Sequence, residues 1–359
     1  MSNKNISEGA ACGIDFGGTG EGAACGIDFG GTTEGTAANV THTEETFTSL
    51  FAKETTGDGR FVRQPVRFDT PFGDGEGQLP VEAGRYRLIV SKACPWAHRQ
   101  LIAFALLGIT EDIVSIGTVD PVRPDKPYSD WAFTLDSDGR DPVLGVKYLS
   151  DIYLKTDPAY DLRFTVPAVV HTATGKIVNN DYFHLTYYWE TEWKAFHKAG
   201  APDLFPEALR PDIEALNDVI FHDVNNGVYK AGFAASQEAY EDAYDTLFLR
   251  LDELEKRLAG SRYLFGDKIT DADIRLFVTL VRFDAAYYNA FRTNRSRLVD
   301  FPNLWGYARD LYQTDGFGST TDFDAIKRHY HLCCVPSNNY RLVPKGPDLS
   351  IWEMQHDRR

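Results

Sequence analysis

Ser91-Lys92-Ala93-Cys94-Pro95-Trp96-Ala97-His98-Arg99 is the stretch that decides the fold of this chain. Before it, Arg85-Tyr86-Arg87-Leu88-Ile89-Val90 alternates as a short, half-buried strand does. After it, Trp96, Leu101, Ile102, Ala105 and Leu106 recur at helical spacing. Cys94 therefore falls where a strand turns into a helix. Pro95 suits the first helical turn, where its missing N–H costs nothing. The unpaired N–H groups and the dipole of a helix start favour negative charge, so a cysteine there is expected to ionise more readily. His98 and Arg99 are expected to add positive potential. The motif is Cys-Pro-Trp-Ala, not Cys-x-x-Cys, so no resolving cysteine follows. A mixed disulfide on Cys94 would need a thiol from outside, which points to a monothiol enzyme using a small thiol such as glutathione. The plainer alternative is a buried core cysteine, a common role for free Cys.

Working outward, the segment reads strand, helix, then a second strand over 113–118. A long insertion rich in Pro, Asp and Gly follows, residues 119–162. Thr165-Val166-Pro167-Ala168-Val169-Val170-His171 and Ile177-Val178-Asn179 then read as a hairpin turning through Thr174-Gly175-Lys176. A helix is expected over 181–191. The order β-α-β then β-β-α is that of the thioredoxin fold. Pro167 fits that fold's cis-proline, which would expose the backbone of Val166 to an extended thiol ligand; the alternative is an ordinary trans proline opening a strand. Beyond Trp193 the pattern is mainly helical. Tyr240, Tyr244, Leu247, Leu251, Leu254 and Leu258 step by three and four along one helix. Thr270-Asp271-Ala272-Asp273 is a capping box opening another, and two more are expected over 303–312 and 322–330.

The 359 residues carry a formal net charge of -15, with 43% hydrophobic and 25% charged residues. That is an ordinary globular composition. The charge argues against nucleic acid and anionic membrane surfaces as partners. No apolar run approaches the ~20 residues a membrane helix needs, and no basic region followed by an apolar core marks a secretory signal. Five cysteines without metal-like spacing suit a reducing, cytoplasmic compartment. His329, His331, Cys333 and Cys334 form only a loose cluster, so no metal is expected.

Residues 1–58 are rich in Gly, Thr, Ala and acidic groups, a composition that tends to disorder. They hold EGAACGIDFGGT twice, at 8–19 and 21–32. Its phrase Gly-Ile-Asp-Phe-Gly-Gly-Thr resembles the phosphate-binding hairpin of sugar kinases of the actin-like fold. Seven residues without a surrounding domain do not carry a kinase reading. Residues 59–193 are expected to form a thioredoxin-like domain with an N-terminal extension and an inserted loop. Residues 194–335 would form an all-helical domain and 336–359 a C-terminal extension.

That α/β domain followed by an all-helical one is the architecture of glutathione transferases. GRYRLIVSKACPWAHRQLI, Trp131-Ala132-Phe133, TVPAVV with IVNN, Asn226-Gly227-Val228-Tyr229-Lys230-Ala231-Gly232-Phe233-Ala234, Ile326-Lys327-Arg328-His329-Tyr330 and the tail from Tyr340 to Pro347 together resemble the glutathionyl-hydroquinone reductases, the Xi class of that superfamily. The resemblance spans about residues 59–347. It implies that Cys94 attacks the glutathione sulfur of a glutathionyl-hydroquinone, a quinone-derived aromatic thioether. Hydroquinone would leave, and a second glutathione would clear the Cys94 mixed disulfide. It implies catalytic and substrate-binding roles for Tyr229 and Tyr330, thiol-binding roles for Trp131, Arg163, Val166, Pro167 and Asp181, and a homodimer. Packing roles are the alternatives for Tyr229, Tyr330 and Trp131, and a surface charge for Arg163. One departure stands out: after IVNN the family usually has Glu-Ser, gripping the γ-glutamyl end of glutathione, whereas this chain has Asp181-Tyr182. A thiol with a sugar in place of that group, such as mycothiol, is therefore a second expectation for the co-substrate. The other readings are a thiol transferase (deglutathionylase) or dehalogenating reductase on the same scaffold, and a non-catalytic thiol-binding module.

Overall fold

In the computed structural model, residues 51–124 and 130–358 are described; the duplicated EGAACGIDFGGT segment lies outside them. Strands β1 (Tyr86–Val90), β2 (Val114–Thr118), β3 (Ala168–His171) and β4 (Lys176–Asn179) form one sheet of order β2-β1-β3-β4. β1 runs parallel to β2 and antiparallel to β3, which pairs antiparallel with β4. Helix α1 (Pro95–Leu107) makes the crossover from β1 to β2. It stops where Gly108, at φ 79°, returns its N–H to the Phe104 carbonyl.

β1 is buried along its whole length, not half-buried. Leu88 and Val90 face α1 and the helical part, while Ile89 faces the opposite layer with Leu149, Ile152 and Tyr153. Helices cover both faces of the sheet, so every side chain of its central strand is enclosed. Even Arg87 is inside, paired with the fully buried Asp141 at 2.8 Å.

The insertion holds a helix the composition hid, α2 (Leu149–Thr156). Asp151 accepts the Tyr148 N–H at its start, and Asp130 accepts from both Trp131 and Ser150. Helix α3 (Leu185–Thr191) begins four residues later than its pattern suggests. The reason is local: the Asn179 side chain takes the Asp181 N–H, and Asp181 takes those of Phe183 and His184. These bonds compete with helix formation.

The longer helices that follow are α4 (Arg210–Val219), α5 (Gly227–Gly232), α6 (Gln237–Leu258), α7 (Asp271–Arg282), α8 (Pro302–Gln313) and α9 (Phe323–Cys333). α7 is buried from end to end. Its capping box forms as the sequence indicates: the Asp273 carboxylate accepts from Thr270, Leu264 and the Tyr307 hydroxyl. The main core runs without interruption from β1 and α1 into α6, α7 and α8.

Residues 51–80 form an arm laid across both parts. Residues 51–58, which composition places in the tail, belong to it: Glu54 is 2% exposed. Phe72 packs on Tyr86, Trp189 and Trp193, and Phe61 packs on Phe233. Ala235 donates to the Gly59 carbonyl. Among the described residues no helix is long and apolar enough to cross a membrane.

Candidate active site

Cys94 occupies the N-cap of α1. Its Sγ lies 3.3 Å from the carbonyl of Val166, whose bond to Pro167 is cis. Around the sulfur lies a cavity lined largely by aromatic and other apolar side chains, with a few polar groups turned into it. Trp131, Arg163, Val166, Tyr229 and Tyr330 all line it, although they come from separate parts of the chain. Pro167 and Asp181 do not line it.

The electrostatics differ from the sequence expectation. Burial pushes the Cys94 thiol up. The N–H groups of Ala97 and Trp96 and the charges of Arg282 and Arg63 pull it down by less. The S–H is therefore the resting form, donating to Val166. Nor do His98 and Arg99 supply the positive field. Arg282, fully buried, donates to His98 Nδ1 at 3.1 Å, so the His98 proton sits on Nε2, 3.0 Å from the Thr320 hydroxyl. Burial and the Arg282 charge hold His98 neutral. Arg99 lies against the Trp96 ring and donates to Asn225 at 2.6 Å. Arg282 also donates to the Ala93 carbonyl, fixing the loop that presents Cys94.

Three phenols form a chain here, of which Tyr229 and Tyr330 line the cavity with Cys94. The Tyr229 and Tyr330 hydroxyls are 2.6 Å apart, and that of Tyr287 is 3.0 Å from Tyr330. Burial pushes all three well into the neutral form. Tyr287 follows α7 in a short π-helical segment, and no motif singles it out.

Two expected ligand-binding groups are already engaged. Arg163 is bidentate to Glu54 of the arm, with Nη2 to Oε1 at 3.0 Å and Nε to Oε2 closer still. A separation of 109 positions hides this pair from sequence reading. Asp181 accepts two backbone N–H groups and pairs with His184 Nδ1 at 2.6 Å. Burial raises its carboxyl, but the His184 bond and charge outweigh this and leave it low. Tyr182, not Asp181, reaches the cavity, its ring 5.2 Å from Trp96.

Trp131 donates its indole N–H to the Phe164 carbonyl and is stacked on His329 at 5.1 Å. His329 in turn donates from Nδ1 to the Pro121 carbonyl at 2.7 Å. Among the described residues no group of three or more His, Cys, Asp or Glu is placed to hold a metal. Cys333 and Cys334 line the cavity, but burial pushes both thiols up.

Comparison with known proteins fits this geometry. The profile for the glutathione S-transferase C-terminal domain matches residues 237–310. The glutathionyl-hydroquinone reductase YqjG of Escherichia coli (strain K12) is 39% identical over 303 residues, covering 82% of this chain and 90% of that protein. The glutathione-bound structure of YqjG superposes with a TM-score of 0.73 at 38% identity, covering 84% and 97% of the two chains. A glutathione transferase from Gordonia bronchialis is 53% identical with a TM-score of 0.75, covering 78% and 86%. The Xi glutathione S-transferase of Phanerochaete chrysosporium reaches 0.78 at 40% identity, covering 84% and 97%. The chain thus belongs to the glutathionyl-hydroquinone reductases, enzymes of the Xi class of glutathione transferases.

Proposed function

We propose that this protein reduces thiol-conjugated hydroquinones through Cys94, releasing the small thiol from the ring. The ring carbon that bears sulfur takes up a proton as a ring hydroxyl gives one up; the Cys94 sulfur then surrenders its S–H proton and bonds to the conjugate's sulfur as the carbon–sulfur bond breaks. The bonding pair restores the aromatic ring and leaves charge on the ring oxygen, which takes up the proton Cys94 released, and the arene departs as hydroquinone. A second thiol attacks the Cys94 mixed disulfide, releasing the disulfide of the small thiol and restoring Cys94. The observation that carries this reading is that Cys94 and the hydrogen-bonded Tyr229–Tyr330 pair line one cavity. The tyrosines are the proton source and the partners of the ring oxygens. Binding of the conjugate displaces the S–H contact with Val166, whose backbone then faces the thiol arm.

Glutathione is the first choice of thiol, supported by the glutathione-bound structure of YqjG. A sugar-bearing thiol such as mycothiol is the second reading. It is favoured by the engagement of Asp181 with His184 and by the ring of Tyr182 over Trp96, which leave little at that edge to grip a γ-glutamyl ammonium. A cytoplasmic location and a homodimer complete the proposal.

Intact-mass spectrometry tests it, with wild type and Cys94→Ala each incubated with glutathionyl- and mycothiyl-hydroquinone. One thiol added to Cys94 with hydroquinone released supports the reading and identifies the thiol. No adduct with either conjugate overturns it.

A further inference from the structure

We infer that Arg63, on the N-terminal arm, binds the aromatic substrate, its Nη2 donating to the ring oxygen that gathers negative charge as the carbon–sulfur bond breaks. This rests on the reading of Cys94 given above.

Arg63 enters the cavity from the stretch joining Phe61 to Pro65. Its Nε is fixed by the Asn226 side-chain oxygen at 3.0 Å. The guanidinium carbon sits 4.9 Å from the ring centres of both Trp96 and Tyr229. Nη2 is sealed from water and meets no acceptor among the described residues. A buried charged donor left unpaired is costly, so the cavity favours a ligand that brings an oxygen to it. The other cations nearby are engaged elsewhere: Arg163 with Glu54, Arg123 over the Trp131 ring at 4.4 Å, and Arg282 with the carbonyls of Ala93 and Val278 and with His98.

The chemistry needs such a group. Once the ring carbon that bears sulfur has taken up a proton and the ring is in its dienone form, transfer of the conjugate's sulfur to Cys94 lets the electron pair of the broken bond restore the aromatic ring and places the charge on the ring oxygen. A guanidinium stays protonated throughout. It therefore stabilises that oxyanion without spending a proton, leaving the Tyr229–Tyr330 pair to protonate carbon. Its place against the Tyr229 face puts it at the aromatic end of the cavity. The same charge acts on Cys94 and Tyr229, favouring the ionised form of each.

The test uses the full chain as wild type, Arg63→Gln, Arg63→Lys and Cys94→Ala, with two substrates sharing one thiol. The first is the thiol–hydroquinone conjugate. The second is the mixed disulfide of that thiol with 2-mercaptoethanol, which needs the same Cys94 attack but develops no ring oxyanion. Removing one preorganised donor to an oxyanion lowers turnover roughly 10²- to 10³-fold. Arg63→Gln is expected to lose about that much in kcat on the conjugate while staying within about threefold of wild type on the disulfide, with Arg63→Lys between. Equal losses on both substrates overturn the inference, because Arg63 would then hold the arm or the thiol. So does an unchanged rate on the conjugate. Should Arg63→Gln misfold by near-ultraviolet circular dichroism, Arg63→Lys decides by the same ratio of the two rates. If Cys94→Ala retains either activity, the Cys94 reading itself fails, an outcome distinct from failure of the Arg63 assignment.

Discussion

Replacing Tyr330 by Phe separates the phenol cluster's chemical task from its structural one. The Tyr330 hydroxyl is the middle member of a chain of three, 2.6 Å from Tyr229 and 3.0 Å from Tyr287. Tyr330 is 1% exposed and Tyr287 fully buried. Tyr330→Phe removes two hydrogen bonds and strands two hydroxyls, whereas Tyr229→Phe and Tyr287→Phe each remove one. A stranded buried hydroxyl costs about 1–3 kcal/mol, so Tyr330→Phe should lose roughly 2–6 kcal/mol of stability, and each of the others, which leaves Tyr330 one partner, only the roughly 0.5–1.5 kcal/mol of one hydrogen bond. Activity should follow a different order. Tyr229 and Tyr330 line the cavity, so losing either hydroxyl should slow hydroquinone release by the 10²- to 10⁴-fold typical of a proton donor. Tyr287 acts only by orienting Tyr330, and its loss should cost about tenfold, the equivalent of 1.4 kcal/mol. Urea denaturation gives the first order, and single-turnover release of hydroquinone at fixed pH gives the second. Wild-type release by Tyr330→Phe would refute the proton-source argument. So would a Tyr287→Phe defect as large as that of Tyr229→Phe, since stability alone would then explain the series.

Three further outcomes are expected. Glu54→Ala leaves Arg163, 12% exposed, as an unpaired buried cation, which should cost about 3–5 kcal/mol and open the arm to limited proteolysis; a shift below about 1 kcal/mol would contradict the burial argument. Burial lowers His329 to about 3 from its ordinary 6.5, so the unfolded chain takes up a proton where the folded one does not. The His329 contribution is complete above pH 6.5 and is lost as pH falls towards 3, by at most about 1.4 kcal/mol per unit; urea midpoints at pH 5.0 and 7.5 should show this in wild type and less of it in His329→Asn. Because burial raises the Cys94 thiol above its ordinary 9.0, iodoacetamide labelling of Cys94 in the free protein should keep accelerating through pH 9, and a plateau below pH 8 would show a thiolate already formed.

The sequence by itself determined whatever depends on neighbours along the chain. A strand followed by Ser-Lys-Ala-Cys, with proline opening the next helix, places Cys94 at an N-cap because the proline ring suits the first helical turn. Thr270 and Asp273 cap α7 because three residues are one helical turn. The family was legible for the same reason, since Cys-Pro-Trp-Ala-His-Arg and Gly-Val-Tyr-Lys-Ala-Gly-Phe-Ala are continuous phrases. The tertiary structure alone decided what depends on distant partners. Arg63 meets Asn226 across 163 positions, and Arg282 reaches the Ala93 carbonyl across 189. Glu54, in a stretch whose composition reads as tail, neutralises the arginine expected to hold a ligand. The ionisation of Cys94 also belongs to the tertiary level. A helix start favours the thiolate through a few local N–H groups, but how much water the folded chain leaves around the sulfur depends on every element packed over it, and here that desolvation is the larger effect.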